Sequence, residues 1–306
     1  MAVSRLFNPA LVLLLAWQSS GLLAAEMDSL DEAAYKDEVL QWRTKAENSL
    51  RADNGWLTLA GRFVMKPGEN RFGTASDNDI VLPAGSGPAH VGSFFVEPGT
   101  ITLKTVEGIT MYAGGAPFTE RTMKTDMETP QRDWVTVGRL AMHVIERSGN
   151  YVLRLADNES EVRKQFPGRL WYDVNPAYRV TAKFVPYSRN KKIPITNVLG
   201  DISEEASAGY AEFTLDGKRY RLDALDEDDE LFFIFRDATS GHGTYPAGRF
   251  LIADKPRGGK VVLDFNKAYN PPCAFSEFTT CPLPPRQNHL KARVEAGEKY
   301  RKKTAG

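Results

Sequence analysis

The sequence predicts a mainly β protein, built from antiparallel β-sandwich or barrel-like units behind one N-terminal α-helix. Three observations carry that prediction. One stretch near the N-terminus places apolar residues at helical spacing. Beyond Trp56 the apolar residues recur in short runs, several at period two, with turn residues between them. No second long helical pattern follows.

Taken in order, the chain opens with a secretory leader. Arg5 precedes the short apolar run Pro9 to Trp17, and the small residues Ala24 and Ala25 follow. Residues 1–25 are therefore expected to be a signal peptide, and the mature protein to be periplasmic or secreted. The run is too short to span a bilayer comfortably, and no later stretch is apolar enough to do so. Residues 26–55 form the helical unit. Ser29 with Glu32 makes a capping box, and Tyr35, Val39, Trp42, Ala46 and Leu50 share one face. Asn54-Gly55 should stop the helix.

A first β unit is expected over residues 56–156. Ile101 to Val106 alternates, and the strands Leu140–Ile145 and Tyr151–Leu155 flank a hairpin turn at Ser148-Gly149-Asn150. A polar boundary over residues 157–168 ends in Pro167-Gly168. A second β unit is expected over residues 169–285. Asp216-Gly217 joins Ala211–Leu215 to Lys218–Leu222 as the strongest hairpin signal in the chain. Leu231 to Phe235 is apolar throughout, which suits a strand covered on both faces. The acidic run Asp226 to Glu230 before it reads as a solvated turn, not a calcium loop, because it lacks spaced ligands and an internal glycine. Residues 286–306 read as a charged tail, mobile at its end.

Charge and motifs narrow the function. Thirty-nine basic residues balance 39 acidic ones, so no global field favours nucleic acid or an anionic membrane. There is no nucleophile elbow, phosphate loop, zinc helix or dinucleotide fingerprint, so no cofactor and no metal are implied. His143 alternates with apolar neighbours and reads as a structural histidine. The only cysteines, Cys273 and Cys281, are expected to form a disulfide in an exported protein.

Polar side chains concentrate in the C-terminal third. Arg236, Asp237, His242 and Tyr245 directly follow the buried strand, and Arg249 opens the next. In Val261 to Asn266, period two puts Asp264 and Asn266 on one polar face. Arg236, Asp237, Tyr245, Arg249, Asp264 and Asn266 are the ligand-binding candidates, expected to converge on one pocket. A structural ion pair of Arg236 with Asp237 or Asp264 is the competing expectation.

The mature chain resembles the uncharacterised bacterial family catalogued as domain of unknown function 1684, from about Trp42 to Glu298. The resemblance rests on Asn54-Gly-Trp-Leu-Thr-Leu59, Pro67-Gly-Glu-Asn-Arg-Phe-Gly73 and Gly209-Tyr-Ala-Glu-Phe213. It is strongest over Phe235-Arg-Asp-Ala-Thr-Ser-Gly241 and Asp264-Phe-Asn-Lys-Ala-Tyr-Asn-Pro-Pro-Cys-Ala-Phe275. It implies no activity and no catalytic residue. The first β unit is also weakly similar to the forkhead-associated β-sandwich around Asn70 to Leu82. There Arg71-Phe72-Gly73 departs from that family's glycine-arginine order, so the likeness implies topology alone.

The leading expectation is non-catalytic binding of a small or extended polar ligand in the cell envelope, in a cavity lined by Trp171, Tyr245 or Tyr269. The first alternative is a hydrolase using Asp237, His242 and Asp264. The second is an envelope scaffold. Oligomeric state is not readable from the chain.

Overall fold

Helix α1 spans Glu32–Arg51, and along its predicted stripe Val39 and Leu50 are buried and Tyr35, Trp42 and Ala46 half-buried. Asn54, at φ 57°, turns the chain out of the helix. The computed structural model describes residues 32–129, 131–147, 149–188 and 191–301, so the expected leader and Ser29 lie outside the described residues. The chain divides into two compact units, residues 1–44 and residues 45–306. No described helix is long and apolar enough to cross a membrane.

Within the larger unit the β structure forms around two main hydrophobic cores. The first contains β1 (Leu59–Val64), β2 (Gly68–Gly73), β3 (Ile80–Val81), β4 (Gly92–Glu97), β5 (Thr100–Thr105) and β6 (Met111–Ala113). It continues with β7 (Ala116–Phe118), β8 (Glu120–Met123), β9 (Val135–Val137), β10 (Leu140–Arg147) and β11 (Asn150–Asp157). These make a six-stranded sheet, β1-β11-β10-β9-β6-β7, and a five-stranded sheet, β3-β2-β4-β5-β8. Phe72, Phe94 and Leu103 from one sheet and Leu140, Met142 and Leu153 from the other share one core, giving a β-sandwich. The β10–β11 hairpin closes with Arg147 opposite Asn150, at the predicted turn.

The one-turn helix α2 (Glu161–Lys164) occupies the predicted boundary. The second core is enclosed by β12 (Arg179–Pro186), β13 (Lys192–Thr196), β14 (Ile202–Leu215), β15 (Lys218–Glu227), β16 (Glu230–Phe235), β17 (Arg249–Asp254) and β18 (Lys260–Asp264). Their order is β17-β16-β15-β14-β12-β18, with β13 beside β14. The end strands β17 and β18 lie against each other, so the sheet is nearly a closed barrel. Asp216 and Gly217 both have positive φ, 50° and 72°, as a two-residue type I′ turn between β14 and β15 requires. Strand β16 is covered on both faces: Leu231, Phe233 and Phe235 join this core, and Ile234 joins a smaller cluster with Ile193, Ile195 and Phe250.

Residues 286–301, read as part of a charged tail, are docked on the barrel, and the end expected to be mobile, residues 302–306, lies outside the described residues. Leu290, Ala292, Val294 and Ala296 are buried at period two in the barrel core, while the charged residues between them face out. This alternation is the strand signal, but the segment docks through side chains and isolated backbone bonds, including Ala238 N to Ala292 O at 2.9 Å.

Cys273 and Cys281 are joined, with Cα atoms 6.1 Å apart. Closing so short a loop removes little chain entropy. Cys273→Ser/Cys281→Ser is therefore expected to lower the unfolding free energy by roughly 2–3 kcal/mol. Denaturant titration of the two proteins side by side checks this, and equal midpoints would contradict it.

Candidate functional site

The six candidates from the sequence fall into separate groups. Arg249 is fully buried at the start of β17, where its guanidinium stacks 5.3 Å over Phe235. Its Nη1 donates to the Ala296 carbonyl, and its Nη2 to the Val294 carbonyl at 2.9 Å and to Asp237 Oδ1 at 3.4 Å. Asp237 also accepts from Val294 N at 2.7 Å, Thr239 N at 3.2 Å and Thr239 Oγ1 at 2.8 Å. Burial pushes the Arg249 guanidinium down, and Asp237 opposes that shift. The pair therefore clasps the C-terminal segment to the barrel.

Arg236 is exposed, and its backbone bonds Asn288 and Leu290. Tyr245 stands edge-on to Tyr300 at 4.9 Å, and burial raises its phenol. His242 is exposed. Asp264 and Asn266 do not share a strand face: β18 ends at Asp264, whose carboxylate caps a 3-10 turn by accepting from Asn266 N at 3.1 Å. Asp and Asn favour such local backbone bonds over a continuing ladder, and that is why the alternation stops there. Asn266 in turn bonds the backbone of Asn175, accepting at 2.9 Å and donating at 2.8 Å.

None of the six lines the cavity of about 630 Å³ that opens nearby. Its walls come from the segment after α2, from residues 270–275 and from residues 298–301. Leu57, Phe166, Leu170, Ala274 and Phe275 make it largely apolar, and Arg169, Asn270, Glu298, Lys299 and Arg301 add polar groups. Pro167-Gly168, with Gly168 at φ 97°, turns the chain out of α2 toward this wall. Glu47 then holds it, accepting from Arg169 N at 3.0 Å, and Arg51 donates to the Phe166 carbonyl at 2.8 Å. On the far side Gly297 has φ 75°, and a Cβ there would lie 2.5 Å from the Ala268 carbonyl oxygen. Only glycine lets the two backbones meet so closely.

That approach delivers Glu298 to the wall. It is 1% exposed, and its Oε2 accepts from Arg169 Nη1 at 2.6 Å and Asn270 N at 2.7 Å. Burial pushes its carboxyl up to about 7, against the opposing pull of Arg169 and of hydrogen bonds from Asn270. The Arg169 guanidinium stacks over Phe275 at 4.9 Å and lies 5.9 Å from Trp171. Arg169 Nε and Asn270 Oδ1 are buried and have no hydrogen-bond partner among the described residues.

A family model, described as protein of unknown function (DUF1684), matches residues 164–299, the segment that supplies most of this wall. An uncharacterized protein of Haloarcula marismortui, solved by solution NMR, is 33% identical, covering 46% of this chain and 81% of that one, with a TM-score of 0.40. The chain belongs to the DUF1684 family. Arg169, Asn270 and Glu298 all fall inside the DUF1684 match. Two forkhead-associated domains are also similar. One, the FhaA domain complexed with the intracellular domain of Rv3910, is 13% identical over 32% of this chain and 94% of that one, with a TM-score of 0.23. The other, from the Mycobacterium tuberculosis ABC transporter Rv1747, is 25% identical over 28% of this chain and 74% of that one, with a TM-score of 0.22. No curated protein matches the chain.

Proposed function

We propose that this protein is an exported, non-catalytic binding protein that takes a small amphipathic ligand into the Arg169–Glu298 cavity. The observation that carries the reading is a cavity of largely apolar lining into whose wall are set the buried Arg169–Glu298 pair and two buried atoms, Arg169 Nε and Asn270 Oδ1, without a partner among the described residues. Buried polar atoms in native proteins usually find a partner, and a ligand in this cavity could supply an acceptor to Arg169 Nε and a donor to Asn270 Oδ1. The volume, about 630 Å³, falls in the range of small-molecule sites, and an apolar wall with few polar groups is their usual lining. Export is supported by the leader-like pattern of residues 1–25, with Arg5 before a short apolar run and Ala24-Ala25 after it, and by the Cys273–Cys281 bond, which suits an oxidising compartment. The Asp237–Arg249 clasp serves this site indirectly, by fixing the segment that carries Glu298.

The neutral fluorescent amphipath N-phenyl-1-naphthylamine tests the reading. It is expected to bind saturably with a stoichiometry of one. Leu170→Trp, at a partly exposed lining position, is expected to fill the cavity and weaken binding about tenfold, or about 1.4 kcal/mol. Absence of saturable binding to the folded wild-type protein would overturn it.

A further inference from the structure

We propose that the ligand is an organic anion, a carboxylate carried on an apolar body, which takes the place of Glu298 as the ionic partner of Arg169. This rests on the cavity being a ligand site.

The charges around the cavity carry the argument. Glu298 is the one carboxylate among the lining residues. It faces Arg169 from the segment after α2, and Lys299 and Arg301 line the cavity from its own segment. Arg249 on β17 also feels its charge. Three lining cations against one acid leave an excess of positive charge on an apolar surface, the complement of an amphipathic anion. Arg169 offers the geometry as well. One amino group of its guanidinium is held by Glu298, its face is stacked on Phe275, and its Nε proton has no acceptor among the described residues. A carboxylate accepts from a guanidinium through two parallel bonds, so an incoming anion that engages Nε and Nη2 occupies the edge of the guanidinium that Glu298, bonded at Nη1, leaves open.

The exchange balances through a proton. When the ligand carboxylate pairs with Arg169, Glu298 loses its counter-charge in a buried site and takes a proton from solution. The net charge of the pocket is then unchanged. The high proton affinity that burial gives Glu298 makes this uptake easy near neutral pH. Binding should therefore strengthen as pH falls through the neutral range and weaken above it, where ionised Glu298 competes for Arg169.

Displacement of N-phenyl-1-naphthylamine by dodecanoate, dodecanol and dodecyltrimethylammonium tests this on the full-length folded protein. At about pH 6 dodecanoate is expected to displace the probe roughly tenfold more effectively than dodecanol, and the ammonium least. At about pH 8.5 the advantage of dodecanoate should shrink severalfold. Glu298→Gln, which keeps the shape and removes the titration, should keep the advantage nearly constant across that range. Arg301→Gln, an exposed change with no folding burden, should reduce it at both pH values. Equal displacement by dodecanoate and dodecanol, or preference for the ammonium, would overturn the anion assignment while probe binding upholds the cavity. A pH dependence that survives in Glu298→Gln would overturn the exchange. Failure of the probe itself to bind would overturn the cavity reading and this inference together.

Discussion

Arg249→Met is expected to lower the unfolding free energy by about 3–5 kcal/mol, the scale seen when one partner of a buried pair is removed. The guanidinium is fully buried and holds three groups at once: the Val294 and Ala296 carbonyls and the Asp237 carboxylate. Methionine fills much of the volume but donates nothing. Two carbonyls of the C-terminal segment lose their partner, and Asp237 stays buried with neutral donors only. For a unit of this size the melting temperature should fall by roughly 10 °C. Asp237 and Arg249 were read from the sequence as ligand contacts. A variant that binds the probe less well yet melts within about 1 °C of the wild type would return them to that role.

Two buried titrating groups should pull stability in opposite directions as pH changes. His143, on β10, is 2% exposed, its ring centroid lies 4.2 Å from that of Trp134, and Arg154 sits opposite on β11. Burial, with help from Arg132 and Arg154, lowers its pKa from 6.5 to about 3. The unfolded chain therefore binds the proton more readily, and stability present above about 6.5 is lost as pH falls toward 3. Glu298 has the reverse sign. Its pKa is raised from 4.5 to about 7, so the folded state binds the proton more tightly, and stability present below about 4.5 is lost as pH rises through 7. The two oppose each other across the overlap of their windows, between about pH 4.5 and 6.5, where each changes stability by about 3 kcal/mol. Single variants separate them. In His143→Gln the unfolding free energy should rise on acidification through that window. In Glu298→Gln it should fall. Urea titrations at several pH values give both slopes, and parallel slopes in the two variants would contradict the assignment.

Local signals that bear directly on backbone geometry were readable from the sequence. Asp216-Gly217 demands positive φ at successive residues, and Asn54 before Gly55 ends a helix, so both positions carry their conformation with them. Leu231 to Phe235 has no polar residue to face water, so its two-sided burial follows from composition. Polar density was a weaker guide. Thr239, Ser240, Asp237, Asp264 and Asn266 are dense because turns and caps at the barrel rim consume polar groups, not because they point into a cavity. The cavity residues lacked any local signature. Arg169 is the first residue of the segment read as the second β unit, directly after the polar boundary, and Glu298 lies in one read as a charged tail. They meet across 129 positions of chain, a pairing that depends on where the barrel brings residues 268 and 297 together. The one available signal was the period-two burial of Leu290, Ala292, Val294 and Ala296, masked by the charges between them.

Chemical-shift mapping of bound N-phenyl-1-naphthylamine on isotope-labelled protein tests the central claim most directly. The account predicts that the largest amide shifts fall on residues 166–170, 270–275 and 298–301, with residues 237–249 and 264–266 little changed. Shifts centred instead on Asp237, Tyr245, Arg249 and Asp264 would contradict it, and would make the polar cluster, not the cavity beside it, the ligand site.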